Sequence, residues 1–147
     1  MKRVLYAEDE PDDVFFMELA FQKTGAETLL LTVRDGAEAV AYLSGEGRYT
    51  DRTQYPLPQL VLLDLKMPVM DGFDVLKWIR TTPTVSEIPV IVLTSSGNLT
   101  DKSRAALLGA NGYLVKPGRP DELTELVRVF KEYWIQTDRL SDERPTQ

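Results

Sequence analysis

Short apolar runs alternate with helical patterns five times along this chain. The runs begin at Arg3, Thr28, Gln59, Pro89 and Gly112, and each is followed by a segment whose apolar residues recur at helical spacing. Strands that are separated by helices pair in parallel, and the connecting helices bury both faces of the sheet. The alternation therefore predicts an α/β fold, with one parallel sheet of five strands covered by five helices.

Turn and capping residues mark the ends of the first two helices. Pro11, followed by Asp12 and Asp13, suits a first helical turn, where acidic side chains interact favourably with the helix dipole. Gly25 ends this helix, and an Asp-Gly turn at residues 35–36 opens the second one.

The later helices are predicted over residues 73–81 and 99–108 and from Pro120 onwards. The last of them has a stripe of apolar positions, which predicts a face towards the core. These positions are Leu123, Leu126, Val127, Phe130 and Trp134.

The 147 residues have room for one domain of ordinary size. We place that domain at residues 1–137 and a flexible C-terminal tail at residues 138–147, where the sequence is polar. The connection from Ser44 to Pro58 is longer than such units usually need, which predicts either an insertion or a mobile loop.

The residue types that are missing from the chain exclude several kinds of chemistry. There is no Cys and no His, so a disulfide, a thiol nucleophile, a Cys/His zinc site and a Ser-His-Asp triad are all excluded. The formal net charge of -6 disfavours binding to nucleic acid or to an anionic membrane surface. No stretch is long and apolar enough for a membrane span or a secretory signal, so we expect a cytoplasmic protein.

Polar residues collect at the carboxyl ends of the predicted strands. Glu8 and Asp9 follow the first strand, and Asp64, Thr94 and Lys116 end the third, fourth and fifth. Ligands of open parallel sheets bind at this edge, so these side chains are expected to converge. Three carboxylates repel one another unless a cation neutralises them, and oxygen ligands without His or Cys favour Mg²⁺.

A carboxylate beside Mg²⁺ and a lysine can attack a phosphorus centre, because the cations offset the charge on the phosphoryl oxygens. The product would be an acyl phosphate on Asp64. Such an anhydride reverts by hydrolysis, so it suits a temporary signal. A hydroxyl at Thr94 could then hydrogen-bond the phosphoryl oxygens and draw its loop inward.

Five separated segments resemble the receiver domain of two-component response regulators. They occur in the family's order, and the resemblance covers the chain from about Lys2 to Ile135. The segments are Glu8-Asp9, Leu62-Leu63-Asp64-Leu65-Lys66-Met67-Pro68, Asp71-Gly72, Val92-Leu93-Thr94-Ser95 and Tyr113-Leu114-Val115-Lys116-Pro117. The resemblance implies a doubly wound, flavodoxin-like three-layer fold with strand order 2-1-3-4-5.

The resemblance also implies a role for each motif residue. The implied ligands of Mg²⁺, or of Mn²⁺, are Glu8, Asp9, Asp64 and the backbone carbonyl of Lys66. Asp64 is the implied phosphoacceptor, Thr94 and Tyr113 are the implied switch residues, and Lys116 is the cation that contacts the phosphoryl group. The Lys116–Pro117 peptide would be cis, which costs little before proline.

The implied function is that of a single-domain response regulator. A partner histidine kinase would phosphorylate Asp64, and the protein would signal through contacts with a downstream protein. Such a protein is a phosphoacceptor and not an enzyme with its own substrate. The Ser44 to Pro58 connection and the aromatic residues near the end of the last helix further resemble stand-alone regulators that pair with bacterial, especially cyanobacterial, phytochrome kinases.

Two features depart from the commonest pattern of the family. The acidic pair is Glu-Asp rather than Asp-Asp, so the longer Glu8 side chain could hold the ion through water or shift its geometry. Lys66 and Ser96 occupy positions that line the path of the hydrolytic water in the family.

Other interpretations use the same residues. Glu8-Asp9-Glu10 alone is typical of a solvated acidic turn, and Tyr113 could be a static half-buried aromatic. A pseudo-receiver that docks partners without phosphorylation would lack an acceptor, a hydroxyl or a lysine, and none is missing here. A phosphohydrolase that forms an aspartyl phosphate usually has a second acid close after the nucleophile, whereas Leu65 and Lys66 follow Asp64.

The last helix has apolar residues outside its core stripe. Val129, Tyr133 and Ile135 favour a homodimer seam, and the alternative is simple cover for the nearby surface. Nothing after Ile135 could fold into a DNA-recognition helix, so output through protein contact is expected.

Overall fold

The computed structural model describes residues 2–25 and 28–142, with the side chains of these residues except 133 and 135–142. The strands are β1 Lys2–Ala7, β2 Thr28–Val33, β3 Leu60–Leu63, β4 Val90–Thr94 and β5 Gly112–Val115. The α-helices are α1 Pro11–Lys23, α2 Gly36–Ser44, α3 Gly72–Arg80, α4 Leu99–Leu107 and α5 Pro120–Asp142, and a short 3₁₀ turn covers Gly47–Tyr49. None of the helices in the described ranges has the length and apolar character to cross a membrane.

All five strands are parallel and lie in the order β2-β1-β3-β4-β5. The predicted fold class is therefore confirmed, including the strand order and the five α-helices. The order reverses between β1 and β3, because β1 pairs with β2 on one side and with β3 on the other. At such a reversal the connections leave towards opposite faces and open a crevice at the carboxyl ends of the strands.

Alternate side chains of the central strands enter two different cores. Leu5 and Leu63 pack in the cluster that includes residues of α2 and α3, whereas Val4 and Leu62 pack with residues of α1 and α5. Helix α4 lies beside α3 on the first of these faces. Both faces of the sheet are covered, which explains why the central strands are continuous apolar runs.

The predicted core stripe of α5 packs against the sheet and α1. Lys131 of α5 is buried there, and its ammonium donates to the carbonyl oxygens of Phe21 (3.2 Å) and Gly25 (3.3 Å) at the end of α1. A cation is favourable at the carboxyl end of a helix, so Lys131 stabilises the contact between α1 and α5. Helix α5 runs past residue 137, and our domain boundary at that residue stays a prediction.

The connection from Ser44 to Pro58 is packed against α2. Arg52 donates to the carbonyl oxygen of Tyr42 (2.8 Å), at the end of that helix. The rings of Tyr42, Tyr49 and Tyr55 contact one another, with centroids 4.9 to 6.1 Å apart. Of the two alternatives that the sequence allowed, the structure therefore shows a packed insertion.

The Lys116–Pro117 peptide is trans, so the prediction of a cis bond is wrong for this structure. The trans form of a bond before proline is intrinsically favoured by about 0.5–1 kcal/mol.

Candidate functional site

Neighbouring strands bring Glu8 and Asp64 together. The last residues of β1 and β3, Ala7 and Leu63, are partners in the parallel register, and each acidic residue follows directly. The backbone N–H of Asp64 donates to the carbonyl of Ala7 (3.1 Å), which fixes the two strand ends against each other. The convergence expected from the sequence is therefore present at the strand-order reversal.

Three carboxylates form a compact acidic cluster at this edge. One oxygen each of Glu8, Asp9 and Asp64 lies within 4.8 Å of the other two. Glu8 and Asp64 are buried and Asp9 is half-buried. Oxygen donors of this kind fit Mg²⁺ or Mn²⁺, hard cations that keep some of their own waters.

The fourth implied ligand lies on the loop between β3 and α3. Lys66 is exposed, and none of the described residues donates a hydrogen bond to its carbonyl oxygen. That oxygen therefore has no competing donor among the described residues, and its role as a ligand stays a prediction.

The Lys116 ammonium lies among three carboxylates. It forms ion pairs with Glu8 Oε1, with Asp13 Oδ2 at 2.9 Å and with Asp64 Oδ2 at 3.2 Å. Burial alone would lower the pKa of Lys116, but the hydrogen bonds to Glu8 and Asp13 outweigh burial and raise that pKa above its ordinary value. Lys116 therefore stays cationic and neutralises part of the acidic cluster.

The Glu8 carboxylate accepts hydrogen bonds on both oxygens. Oε1 accepts from the Tyr6 hydroxyl (3.0 Å) and from Lys116, and Oε2 accepts from the backbone N–H groups of Asp9 (3.1 Å) and Glu10 (3.3 Å). Burial, together with the neighbouring Asp64 carboxylate, raises the pKa of Glu8 to about 7 despite the opposing effect of Lys116. Burial and the proximity of Glu8 also raise the pKa of Tyr6, so Tyr6 remains a donor.

Two residues of this site, Asp13 and Tyr6, were missed by the sequence reasoning. Asp13 was interpreted only as an acidic residue that interacts favourably with the dipole of α1. It lies in the first turn of that helix, shortly after Glu8 and Asp9, and its carboxylate forms an ion pair with Lys116. Tyr6 lies in a buried apolar strand, where the pattern predicts only a core residue. The available signal was its hydroxyl, because a buried hydroxyl needs a hydrogen-bond partner.

Thr94 and Tyr113 lie on the paired strands β4 and β5. Thr94 is fully buried at the end of β4, and its hydroxyl oxygen accepts a long hydrogen bond from the backbone N–H of Ser96 (3.4 Å). Neither side chain hydrogen-bonds the acidic cluster within the described residues. The Tyr113 hydroxyl donates to the carbonyl oxygen of Ser96 (2.7 Å), and the hydroxyl of Ser96 donates to Asp101 (2.8 Å).

The Asp71-Gly72 motif allows the loop after β3 to fold back on Asp64. A Cβ atom at position 72 would lie 2.2 Å from the carbonyl oxygen of Asp64 and 2.8 Å from the Cα of Leu65. Asp71 caps helix α3 by accepting from the backbone N–H of Asp74 (2.9 Å). The motif therefore has a structural basis: it starts a helix beside the acidic cluster.

Known proteins share this sequence pattern and this fold. The family model described as "Response regulator receiver domain" matches residues 4–128, which is most of the chain. The chain belongs to the response regulator receiver domain family, and the resemblance noted in the sequence is confirmed. Receiver domains of response regulators are generally not catalytic enzymes.

The chain is similar to Response regulator Rcp1 of Synechocystis sp., with 34% identity over 136 residues that cover 92% of this chain and 90% of Rcp1. The crystal structure of the phosphorylated cyanobacterial phytochrome response regulator RcpA is 36% identical, covers 92% of this chain and 95% of RcpA, and has a TM-score of 0.85. The Mn²⁺-bound form of Rcp1 is 34% identical, covers 93% of this chain and 96% of Rcp1, and has a TM-score of 0.83. These relatives are stand-alone receiver domains.

Proposed function

We propose that this chain is a single-domain response regulator in which Asp64 accepts a phosphoryl group from a partner histidine kinase. The position of Lys116 carries the proposal. Its ammonium lies 3.2 Å from Asp64 Oδ2. Asp64 also contributes an oxygen to the compact acidic cluster. A carboxylate that is paired with a cation at the edge of a crevice is placed to receive an anionic group.

In the proposed reaction, a carboxylate oxygen of Asp64 forms a bond to phosphorus while the P–N bond of the donor's phosphohistidine breaks. The electron pair of the broken bond leaves on the imidazole nitrogen, and the three remaining phosphoryl oxygens stay with Asp64. Lys116 stabilises the negative charge on those oxygens. The metal ion held by the acidic cluster and the Lys66 carbonyl would supply further positive charge.

The donor histidine must lie outside these 147 residues, because they contain no His. We propose a phytochrome kinase as the donor. This proposal is supported by the similarity to RcpA, which is named a phytochrome response regulator, over 92% of this chain.

Thr94 and Tyr113 are the proposed switch residues. The Thr94 hydroxyl oxygen has only a weak hydrogen bond at 3.4 Å, so little opposes its reorientation towards a phosphoryl group on Asp64. The Tyr113 hydroxyl donates to the carbonyl oxygen of Ser96, which lies in the loop that follows Thr94. A movement of the loop would therefore move the ring and change the surface offered to a downstream protein.

Two further expectations stay predictions. For the homodimer seam on α5, Val129 is exposed, with 57% of its surface accessible, whereas Tyr133 and Ile135 lie outside the described side chains. The second expectation that stays a prediction is the location of the protein in the cytoplasm.

Intact-mass measurement after incubation with acetyl phosphate and Mg²⁺ tests the acceptor. We expect one added phosphoryl group per chain, none in Asp64→Asn, and none when EDTA replaces Mg²⁺. Asp71→Asn is the matched control, because it makes the same change at a residue that only caps α3, and Asn caps a helix as well as Asp. An unchanged mass of the wild-type protein, or a phosphorylated Asp64→Asn protein, would contradict the proposal. Phosphotransfer from a panel of histidine kinases would then identify the donor.

A further inference from the structure

All acceptor positions of the Glu8 carboxylate are occupied by donors of the protein itself. The carboxylate has about four lone-pair positions. It accepts two hydrogen bonds on Oε1, from Tyr6 and Lys116, and two on Oε2, from the backbone of Asp9 and Glu10. In contrast, the Asp9 carboxylate accepts no hydrogen bond within the described residues. A cation that takes an oxygen of Glu8 must therefore displace a donor, whereas Asp9 can bind it directly.

The two oxygens of Glu8 differ in how easily they lose a donor. The donors on Oε2 are the N–H groups of the next two residues, which the local backbone holds in place. The donors on Oε1 are both side chains, Tyr6 and Lys116, and the backbone next to Glu8 does not hold them in place. Exchange of a protein donor for a metal ion, or for a water bound to it, is therefore expected at Oε1.

The Tyr6 hydroxyl is not required for packing. Tyr6 is 1% exposed and lies in the apolar cluster between the sheet and helices α1 and α5. An apolar ring would fill the same space, and burying a hydroxyl in such a place is unfavourable unless it has a partner. Glu8 Oε1 is the partner that the structure provides, at 3.0 Å.

We propose that Tyr6 sets the metal affinity of the site by competing with the cation for Glu8 Oε1, to which its hydroxyl donates a hydrogen bond. Tyr6 is thus a positioning residue, because it acts on the ion through Glu8. The inference rests on the proposed function, since it takes the acidic cluster to be the site of a divalent cation. Its direct consequence is that loss of the Tyr6 hydroxyl strengthens metal binding, because one competitor for Oε1 is removed.

Calorimetric titration with MgCl₂, without a phosphodonor, tests this inference on the wild type and on Tyr6→Phe. Hydrogen bonds to charged groups change an equilibrium by about tenfold or more, and Lys116 still competes for Oε1 in the variant. We therefore expect the dissociation constant of Tyr6→Phe to be about three- to tenfold lower than that of the wild type.

Tyr42→Phe is the matched control. Tyr42 is also buried, at 2% exposure, and its hydroxyl donates to one acceptor, the carbonyl of Pro56 (2.8 Å), on the insertion. Its removal is expected to lower stability equally in EDTA and in Mg²⁺ and to leave the dissociation constant unchanged. Tyr6→Phe is instead expected to lose stability in EDTA and to recover most of it in saturating Mg²⁺.

An unchanged or weaker affinity of Tyr6→Phe, with normal binding by the wild type, would overturn the inference and leave the proposed function intact. Absence of both Mg²⁺ binding and Asp64 phosphorylation in the wild type would overturn both. If Tyr6→Phe does not fold, NMR of the wild type decides. The Tyr6 hydroxyl proton is expected to be protected from exchange in EDTA and to lose that protection in Mg²⁺. Equal protection in both conditions would refute the inference.

Discussion

Replacement of Lys116 by Met tests the electrostatic basis of the site. The substitution keeps the aliphatic stem of the side chain but removes the ammonium that contacts Glu8, Asp13 and Asp64. Without a divalent cation, the buried carboxylates of Glu8 and Asp64 would then lie close together with no neutralising group from Lys116. We expect a large loss of stability near pH 8 in EDTA.

The size of this loss follows from burial. Removal of one partner from a buried ion pair costs about 3–5 kcal/mol. The Lys116 side chain is 13% exposed and its partner Asp13 is 40% exposed. Solvent therefore screens part of the interaction, and we expect the lower end of the range, about 3 kcal/mol. For a domain of this size that loss lowers Tm by about 6–12 °C.

The loss should also depend on pH. The pKa of Glu8 is raised to about 7 in the folded protein, mainly by burial, so folding takes up a proton between the ordinary pKa and about 7. This contribution of Glu8 stabilises the fold at low pH and disappears as the pH rises through 7. Once Glu8 is protonated, it carries no negative charge for Lys116 to neutralise. The loss in the free energy of unfolding caused by Lys116→Met is therefore expected to be smaller near pH 6 than near pH 8.

Urea unfolding in EDTA and in excess MgCl₂ measures these differences. Mg²⁺ at a hundredfold excess over its dissociation constant stabilises the folded state by about 2.7 kcal/mol and should offset most of the loss. Lys102→Met is the matched control, because Lys102 is exposed on α4 and forms no ion pair within the described residues, so a change below about 0.5 kcal/mol is expected. A deficit below about 1 kcal/mol for Lys116→Met, or an equal deficit with and without Mg²⁺, would refute the reasoning.

Three other changes test contacts in and around the site. Arg52→Met should lower the free energy of unfolding by about 2 kcal/mol, because it removes hydrogen bonds to the end of α2. Arg48→Met is the control: its side chain is 69% exposed, so the free energy of unfolding should fall by less than about 0.5 kcal/mol. Equal urea-unfolding midpoints for the two variants would contradict this. Gly72→Ala should cost at least about 3 kcal/mol, because its Cβ would lie 2.2 Å from the carbonyl oxygen of Asp64; an unchanged thermal melt would exclude this account. Mg²⁺ affinity should weaken by about tenfold per pH unit below 7, because Glu8 must release its proton when the ion binds; calorimetry that finds no dependence on pH would argue against it.

The predicted strands were found because each apolar run has the length and burial of a strand covered on both faces. The ends were less certain, since hydrogen bonding decides them: β3 covers Leu60–Leu63, so Gln59 and Asp64 lie just outside it. The insertion was recognisable from its length. Its contacts were not, because the pairing of Arg52 with the end of α2 depends on how the loop folds back in three dimensions.

The acidic cluster could be predicted because parallel strands place their carboxyl ends on one edge. This geometry brought Glu8, Asp64 and Lys116 together from distant parts of the sequence. The contact of Asp13 with Lys116 could not be predicted, because it depends on how α1 packs across the sheet edge next to the loop after β5. The same is true of Tyr6, whose hydroxyl reaches Glu8 through a side-chain orientation that periodicity does not specify.

The hydrogen bond from Tyr113 to Ser96 has its acceptor on the main chain. Every amino acid carries that carbonyl, so replacing the side chain at position 96 would remove the contact of its hydroxyl with Asp101 and still leave Tyr113 with its acceptor. Position 96 is also one that the family resemblance associates with the path of the hydrolytic water. If the proposed function holds, a substitution at position 96 would therefore affect the lifetime of the phosphoryl group and leave the hydrogen bond of Tyr113 in place.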